Sequence, residues 1–178
     1  MEGFEVNEAI DVVDLSDVKE ERSLTPPAKG VKMRIVKAAV QTSKDGDLKS
    51  LKLELRIVDG IPVTDQASGA TEYTYKNKPL FPGFMDLVVW ADTTVKERGE
   101  SEWWKKKQHL VGLKQFCTAL EIPLSGLHVN DEFIAGLIGR ELAVDISHEE
   151  ETVIDPTSGK REKTGTLRER LRSWKKVS

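Results

Sequence analysis

Near the end of the sequence Arg168, Arg170, Arg172 and Trp174 recur at every second position. On an extended strand, residues at that spacing share one face. Guanidinium groups neutralise phosphates, and guanidinium planes and indoles give bases a surface to stack on. This is the chemistry by which single-stranded nucleic acid is held. The same mixture of charge and rings appears earlier in the chain. Lys32 and Arg34 alternate with Val31, Met33 and Ile35, and Lys52 and Arg56 alternate with Leu51, Leu53, Leu55 and Ile57. Tyr73, Tyr75 and Lys76 follow within twenty residues. Together these positions are the candidate nucleic-acid contacts. The competing reading of the arginine stripe is a solvated strand face whose tryptophan packs on the core.

A second cluster, Trp103-Trp104-Lys105-Lys106-Lys107, falls in a segment of helical period. Adjacent helical side chains point about 100° apart, so only one indole faces fully inward. The other stacks on a base, anchors a subunit contact or covers the end of the fold. Trp90 closes an apolar run and is read as core.

Other chemistries lack their residues. His109, His128 and His148 are widely spaced and form no zinc pairing. A solvated loop is the plainer account of His148 with Glu149, Glu150 and Glu151. No phosphate-binding glycine loop and no nucleophile elbow is present. The single cysteine, Cys117, excludes an internal disulfide and lies on the apolar face of the expected helix. No catalytic residue, metal or cofactor is expected, and the chain is read as a binding protein rather than an enzyme.

The 178 residues allow one domain with tails. No apolar run is long enough to cross a membrane as a helix, and no leader peptide is visible. A cytoplasmic setting is the expectation. The formal charge of −3 conceals an asymmetry. Residues 1–25 hold eight acids against two bases, whereas the remainder holds 22 acids against 25 bases. Residues 1–25 are therefore expected to form a flexible acidic arm. It either keeps the chain soluble, competes for a basic face, or recruits a replication or recombination protein by charge. Thr25-Pro26-Pro27 is a stiff boundary, and the compact domain is expected over residues 26–178.

Within it, the alternation in residues 30–42 predicts a strand, with a slip after Val36 that marks a bulge or a doubly buried stretch. Lys44-Asp45-Gly46-Asp47 predicts a turn into a second strand over residues 50–59. A long loop follows, with weak alternation at 71–76, and then an apolar strand over 84–90. Helical period runs from Ser101 to Leu120, and a second short helix is expected to begin at Asn130, which can cap it. Residues 141–148 alternate as a strand. Residues 166–177 fit either a strand or a helix, and pairing across the preceding loop favours the strand. The order β-β-(β)-β-α-α-β-β is mainly β with a helical insertion near 101–138, which suits a small Greek-key, OB-like barrel.

That layout, with Ser43-Lys44-Asp45-Gly46 joined to Leu51 through Gly60 and with Leu137-Ile138-Gly139-Arg140 leading into Glu141-Leu142-Ala143-Val144, resembles the OB-fold single-stranded-DNA-binding proteins encoded by bacteriophages. The resemblance spans roughly residues 26–174. It implies binding of single-stranded DNA, with RNA left open, in phage-like replication or recombination. It implies no catalytic residue. A homo-oligomer is compatible with it. The rival is a structural or protein-interaction module of a virion or replisome that binds no nucleic acid.

Overall fold

The computed structural model describes residues 24–178. The fold is mainly β. Five antiparallel strands form one nearly closed, barrel-shaped sheet, accompanied by a few short helices. In chain order the strands are β1 (Ala28–Thr42), β2 (Leu48–Ile57), β3 (Ile61–Thr64), β4 (Thr71–Thr74), β5 (Pro79–Leu80) and β6 (Val88–Ala91). The helices α1 (Lys96–Glu100), α2 (Glu102–Lys105), α3 (Val111–Ala119) and α4 (Asp131–Leu137) come next. The long hairpin β7 (Glu141–Ile154) and β8 (Arg161–Lys175) completes the chain. Strand order in the sheet is β5-β2-β1-β7-β8, with β6 also pairing with β2.

The inward sides of these strands build the core. Val31, Met33 and Ile35 of β1, Leu51, Leu53, Leu55 and Ile57 of β2, and Leu142, Val144 and Ile146 of β7 are all buried. Period-two alternation in the sequence therefore identified the right face of each strand. From α3, Leu113, Phe116 and Cys117 join the same core, followed by Leu120. Burial pushes the Cys117 thiol up from its ordinary value, so it behaves as a small buried apolar group. Gly112 lets α3 approach closely: a Cβ there would fall on the backbone carbonyl of Asp86.

Two contacts draw the free edges of the sheet together. Glu169 on β8 accepts a hydrogen bond from the Thr25 amide at 2.8 Å and an ion pair from Lys78 at 3.2 Å. Lys78 stands just before β5. His148 Nε2 donates to the Thr25 carbonyl at 2.7 Å. Thr25 is thus fixed beside the seam. The acidic segment expected to be flexible lies, up to residue 23, outside the described residues.

Several expectations are corrected. The expected loop after β2 contains a separate two-stranded sheet, β3 with β4. Its tip, Asp65 to Gly69, is closed by the Asp65 carboxylate accepting from the Ala67 amide and the Ser68 hydroxyl. Its base needs Gly60, whose φ of 83° is left-handed and whose Cβ would meet the Thr74 carbonyl at 2.7 Å. Residues 84–87 form a 3-10 turn, not a strand, because Asp86 accepts the Gly83 amide at 2.7 Å. Ser50 Oγ, buried beneath that turn, donates to its carbonyls. The single helix expected over 101–120 is broken at Lys107, which takes a left-handed φ of 57°. Asn130 caps α4 as expected, its Oδ1 accepting the Phe133 amide at 2.9 Å. The final segment is a strand.

Candidate nucleic-acid interface

The site begins with an irregularity in β1. Lys32 and Arg34 point outward opposite buried Met33 and Ile35. The pairing with β2 then shifts between Ile35 and Lys37. This bulge inserts Val36 and turns Lys37 outward, with Ala38 returning to the core side. In an unbroken strand Lys37 would face inward. Lys37 consequently stands opposite Glu54, and Ala39 opposite Lys52.

On the same outer face Arg34 lies directly opposite Arg56. Like charges placed across an antiparallel pair are unfavourable. The fold relieves them separately. Arg34 donates to Glu141 at 2.8 Å, and Lys32 pairs with the other oxygen of that carboxylate at 3.3 Å. The Arg34 hydrogen bond, followed by Lys32, holds the Glu141 carboxyl below the usual carboxylate range. Arg56 donates to the Asn77 carbonyl at 3.1 Å and reaches Glu54 at 3.4 Å.

A groove of about 630 Å³ lies over this surface, lined by Arg34, Lys37, Arg56 and Lys76 among others. A second hollow of about 620 Å³ shares Val36, Lys37 and Glu54 with it and adds Lys52 and Phe81. The two form one cleft along β1 and β2. Five cations line it against two acids, Glu54 and Asp59. Lys37, Lys52 and Lys76 have no carboxylate partner among the described residues. Lys76 is presented by a tight turn in which Tyr75 and Asn77 both adopt left-handed φ, 64° and 65°.

The structure therefore brings together Arg34, Lys52, Arg56 and Lys76, with Lys32 alongside. It separates the rest. Tyr73 is 66% exposed on β4 and does not line the cleft. Tyr75 is half-buried against the core, with the Lys78 ammonium 5.3 Å from its ring centroid. Arg168, Arg170 and Arg172 share a face of β8, two strands away from β1. Arg170 is committed to Asp86 at 3.0 Å and Glu149 at 2.9 Å, and Arg168 reaches Glu149 at 3.3 Å. Arg172 has no ion-pair partner among the described residues.

Trp174 is a correction. It does not share the arginine face. β8 carries an extra residue opposite β7 between Ala143 and Asp145, where Ser173 takes a φ of 59°. That bulge turns Trp174 inward, leaving it 8% exposed. Trp90, read as core, is the reverse case: it is 44% exposed, because the 3-10 turn re-phases the short edge strand that carries it. Of the paired indoles Trp103 and Trp104, Trp103 is the exposed one, at 46%.

Sequence reasoning missed Lys37 and Phe81. Lys37 stands at the alternation slip, which was the available signal. Phe81 is bracketed by Pro79 and Pro82, so it looked like part of a chain break. It is 57% exposed and lines both the cleft and a cavity at the seam bounded by Leu24, Leu167 and Arg168. No protein-family model matches this chain, and no curated protein matches its sequence significantly. Among the described residues no group of three or more His, Cys, Asp or Glu side chains is placed to hold a metal ion, and no helix is long and apolar enough to cross a membrane.

Proposed function

We propose that this chain is an OB-like, Greek-key barrel that binds single-stranded DNA with little sequence preference, as a non-catalytic component of phage-like replication or recombination. The observation that carries this reading is the cleft over β1 and β2. There two arginines oppose each other, and three lysines lack acidic partners among the described residues. A phosphate backbone running along the strands would neutralise Lys37, Lys52 and Lys76 and add a counter-charge beside Arg34 and Arg56. Phe81 supplies an exposed ring at the margin for a base. Binding of this kind reads charge and ring faces, not base edges, so sequence preference is weak.

The test is a fluorescence titration with a thymidine oligomer at several salt concentrations, with a duplex of equal length as competitor. Single-strand binding predicts saturation and a slope of log K against log salt of about −0.7 per neutralised phosphate. Equal competition by duplex would reduce the reading to electrostatics alone. No binding at low salt would overturn it and favour a protein-interaction module.

A further inference from the structure

Trp104, Lys105 and Lys107 line a further cavity of about 500 Å³, distinct from the cleft. Trp90, Arg98, Trp104, Lys105, Lys107 and His109 supply its functional side chains, and no carboxylate among the described residues lines it. Trp104 is its fixed wall. The Trp103 ring meets it edge-on at 4.7 Å, the His109 ring lies 4.8 Å away, and the Arg98 guanidinium sits 5.0 Å from its centroid. Arg98 is itself locked by Asp47 at 2.7 Å. Trp90 is the more exposed ring, with the Lys49 ammonium over one face, 5.4 Å from its centroid. Lys107 has no acidic partner among the described residues, and Lys105 has only Glu102 at 3.8 Å.

His109 also lines this cavity, 7% exposed, and packs its ring against Trp104, which holds that indole in place.

We propose that this cavity binds a single nucleotide unit bearing a terminal phosphate. The base stacks on Trp90, and the phosphate meets Lys105 and Lys107. An inorganic anion would use the lysines and leave the indole unmet. An uncharged ring would leave the lysines unmet. The unit is either a free nucleoside 5′-monophosphate or the phosphorylated end of a strand, which present the same atoms. Lys49 beside Trp90 and Lys52 in the cleft are three residues apart on β2, roughly 10 Å, so a strand end in the cavity lies near a strand body in the cleft. The cavity's own affinity does not depend on the cleft binding DNA.

The experiment follows the indole N–H and imidazole signals of the full chain by NMR during titration with deoxyadenosine 5′-monophosphate, inorganic phosphate, and a short oligonucleotide with and without a 5′-phosphate. The expected result is saturable movement of the Trp90 and Trp104 signals with the nucleotide and none with phosphate. Trp90→Ala is expected to weaken nucleotide binding about tenfold, and Lys105→Gln to weaken it less. Lys37→Glu with Lys52→Glu, in the cleft, is expected to leave it unchanged, which separates failure of the cleft from failure of the cavity. Tighter binding of the phosphorylated oligonucleotide supports the proposal with a strand end as the source, and response to the free nucleotide alone supports it with that source. Unmoved indole signals, equal shifts with phosphate, or unaltered affinity in Trp90→Ala would overturn it.

Discussion

The rings of Trp174 and Phe116 meet edge to face with centroids 5.6 Å apart, joining β8 to α3 inside the core. The Ser173 bulge makes that contact possible. Truncating a buried aromatic removes its burial and leaves a cavity, so Trp174→Ala is expected to cost about 3–5 kcal/mol of stability, read by urea unfolding. Trp174→Phe keeps most of the packing and is expected to bind a thymidine oligomer like the unaltered chain. Loss of affinity in a folded Trp174→Phe chain would return this residue to the binding surface.

The two basic surfaces should separate under mutation. Lys37→Gln and Lys52→Gln remove cations that hold no carboxylate among the described residues, so stability is expected to change by less than about 0.5 kcal/mol. Single-strand affinity should fall, with the salt slope reduced by about 0.7 for each phosphate that is no longer neutralised. Arg170→Gln is the counterpart. Its guanidinium joins Asp86 to Glu149, so its loss is expected to cost about 1–2 kcal/mol with little change in affinity. The opposite assignment of effects would place the interface on β8.

What the sequence made legible follows from its regularity. The inward residues Val31, Met33 and Ile35, Leu51 to Ile57, and Leu142 to Ile146 were readable because their apolar side chains recur at every second position there. Asn130 was readable because capping is a local matter between neighbours in the chain. The misplaced residues all sit where a single backbone event changes the phase. Val36 turns Lys37 outward, Ser173 turns Trp174 inward, and the turn at 84–87 re-aims Trp90. A one-residue slip reverses every side chain beyond it, and β-propensity does not register it. Phe81 was missed for another reason. Its exposure depends on β5 lying beside the distant strand β2, a relationship no local pattern contains. The tip at Asp65-Gln66-Ala67-Ser68-Gly69 repeats the Asp-x-x-Ser-Gly form of residues 155–159, with the same carboxylate contacts, and that repeat could have revealed the β3–β4 hairpin.

His109 should make stability depend on pH. Burial, with Arg98 and Lys107 nearby, holds its imidazole below the ordinary value. A histidine whose folded-state pKa is depressed is neutral in both states at pH 7.5. As pH falls below the unfolded value of about 6.5, the unfolded chain takes up the proton first and stability is lost. The midpoint of thermal unfolding is therefore expected to drop between pH 7.5 and 5.5, and His109→Gln is expected to flatten that drop. An equal drop in both chains would assign the effect to other groups.

The acidic segment gives the last prediction. Residues 1–23 contain eight acids and two bases, and removing them leaves a chain of net positive charge. Their attachment point is fixed, because Thr25 is held by Glu169 and His148, and Leu24 lines the seam cavity together with Phe81. Given the proposed single-strand binding, acids tethered at Leu24 are expected to compete with phosphates for the cleft at high effective concentration. A chain lacking residues 1–23 is expected to bind a thymidine oligomer several-fold more tightly at about 20 mM salt. The difference should fade near 0.3 M, where the screening length falls to about 6 Å. Equal affinities at low salt would remove competition from the account and leave solubility or partner recruitment as the segment's role.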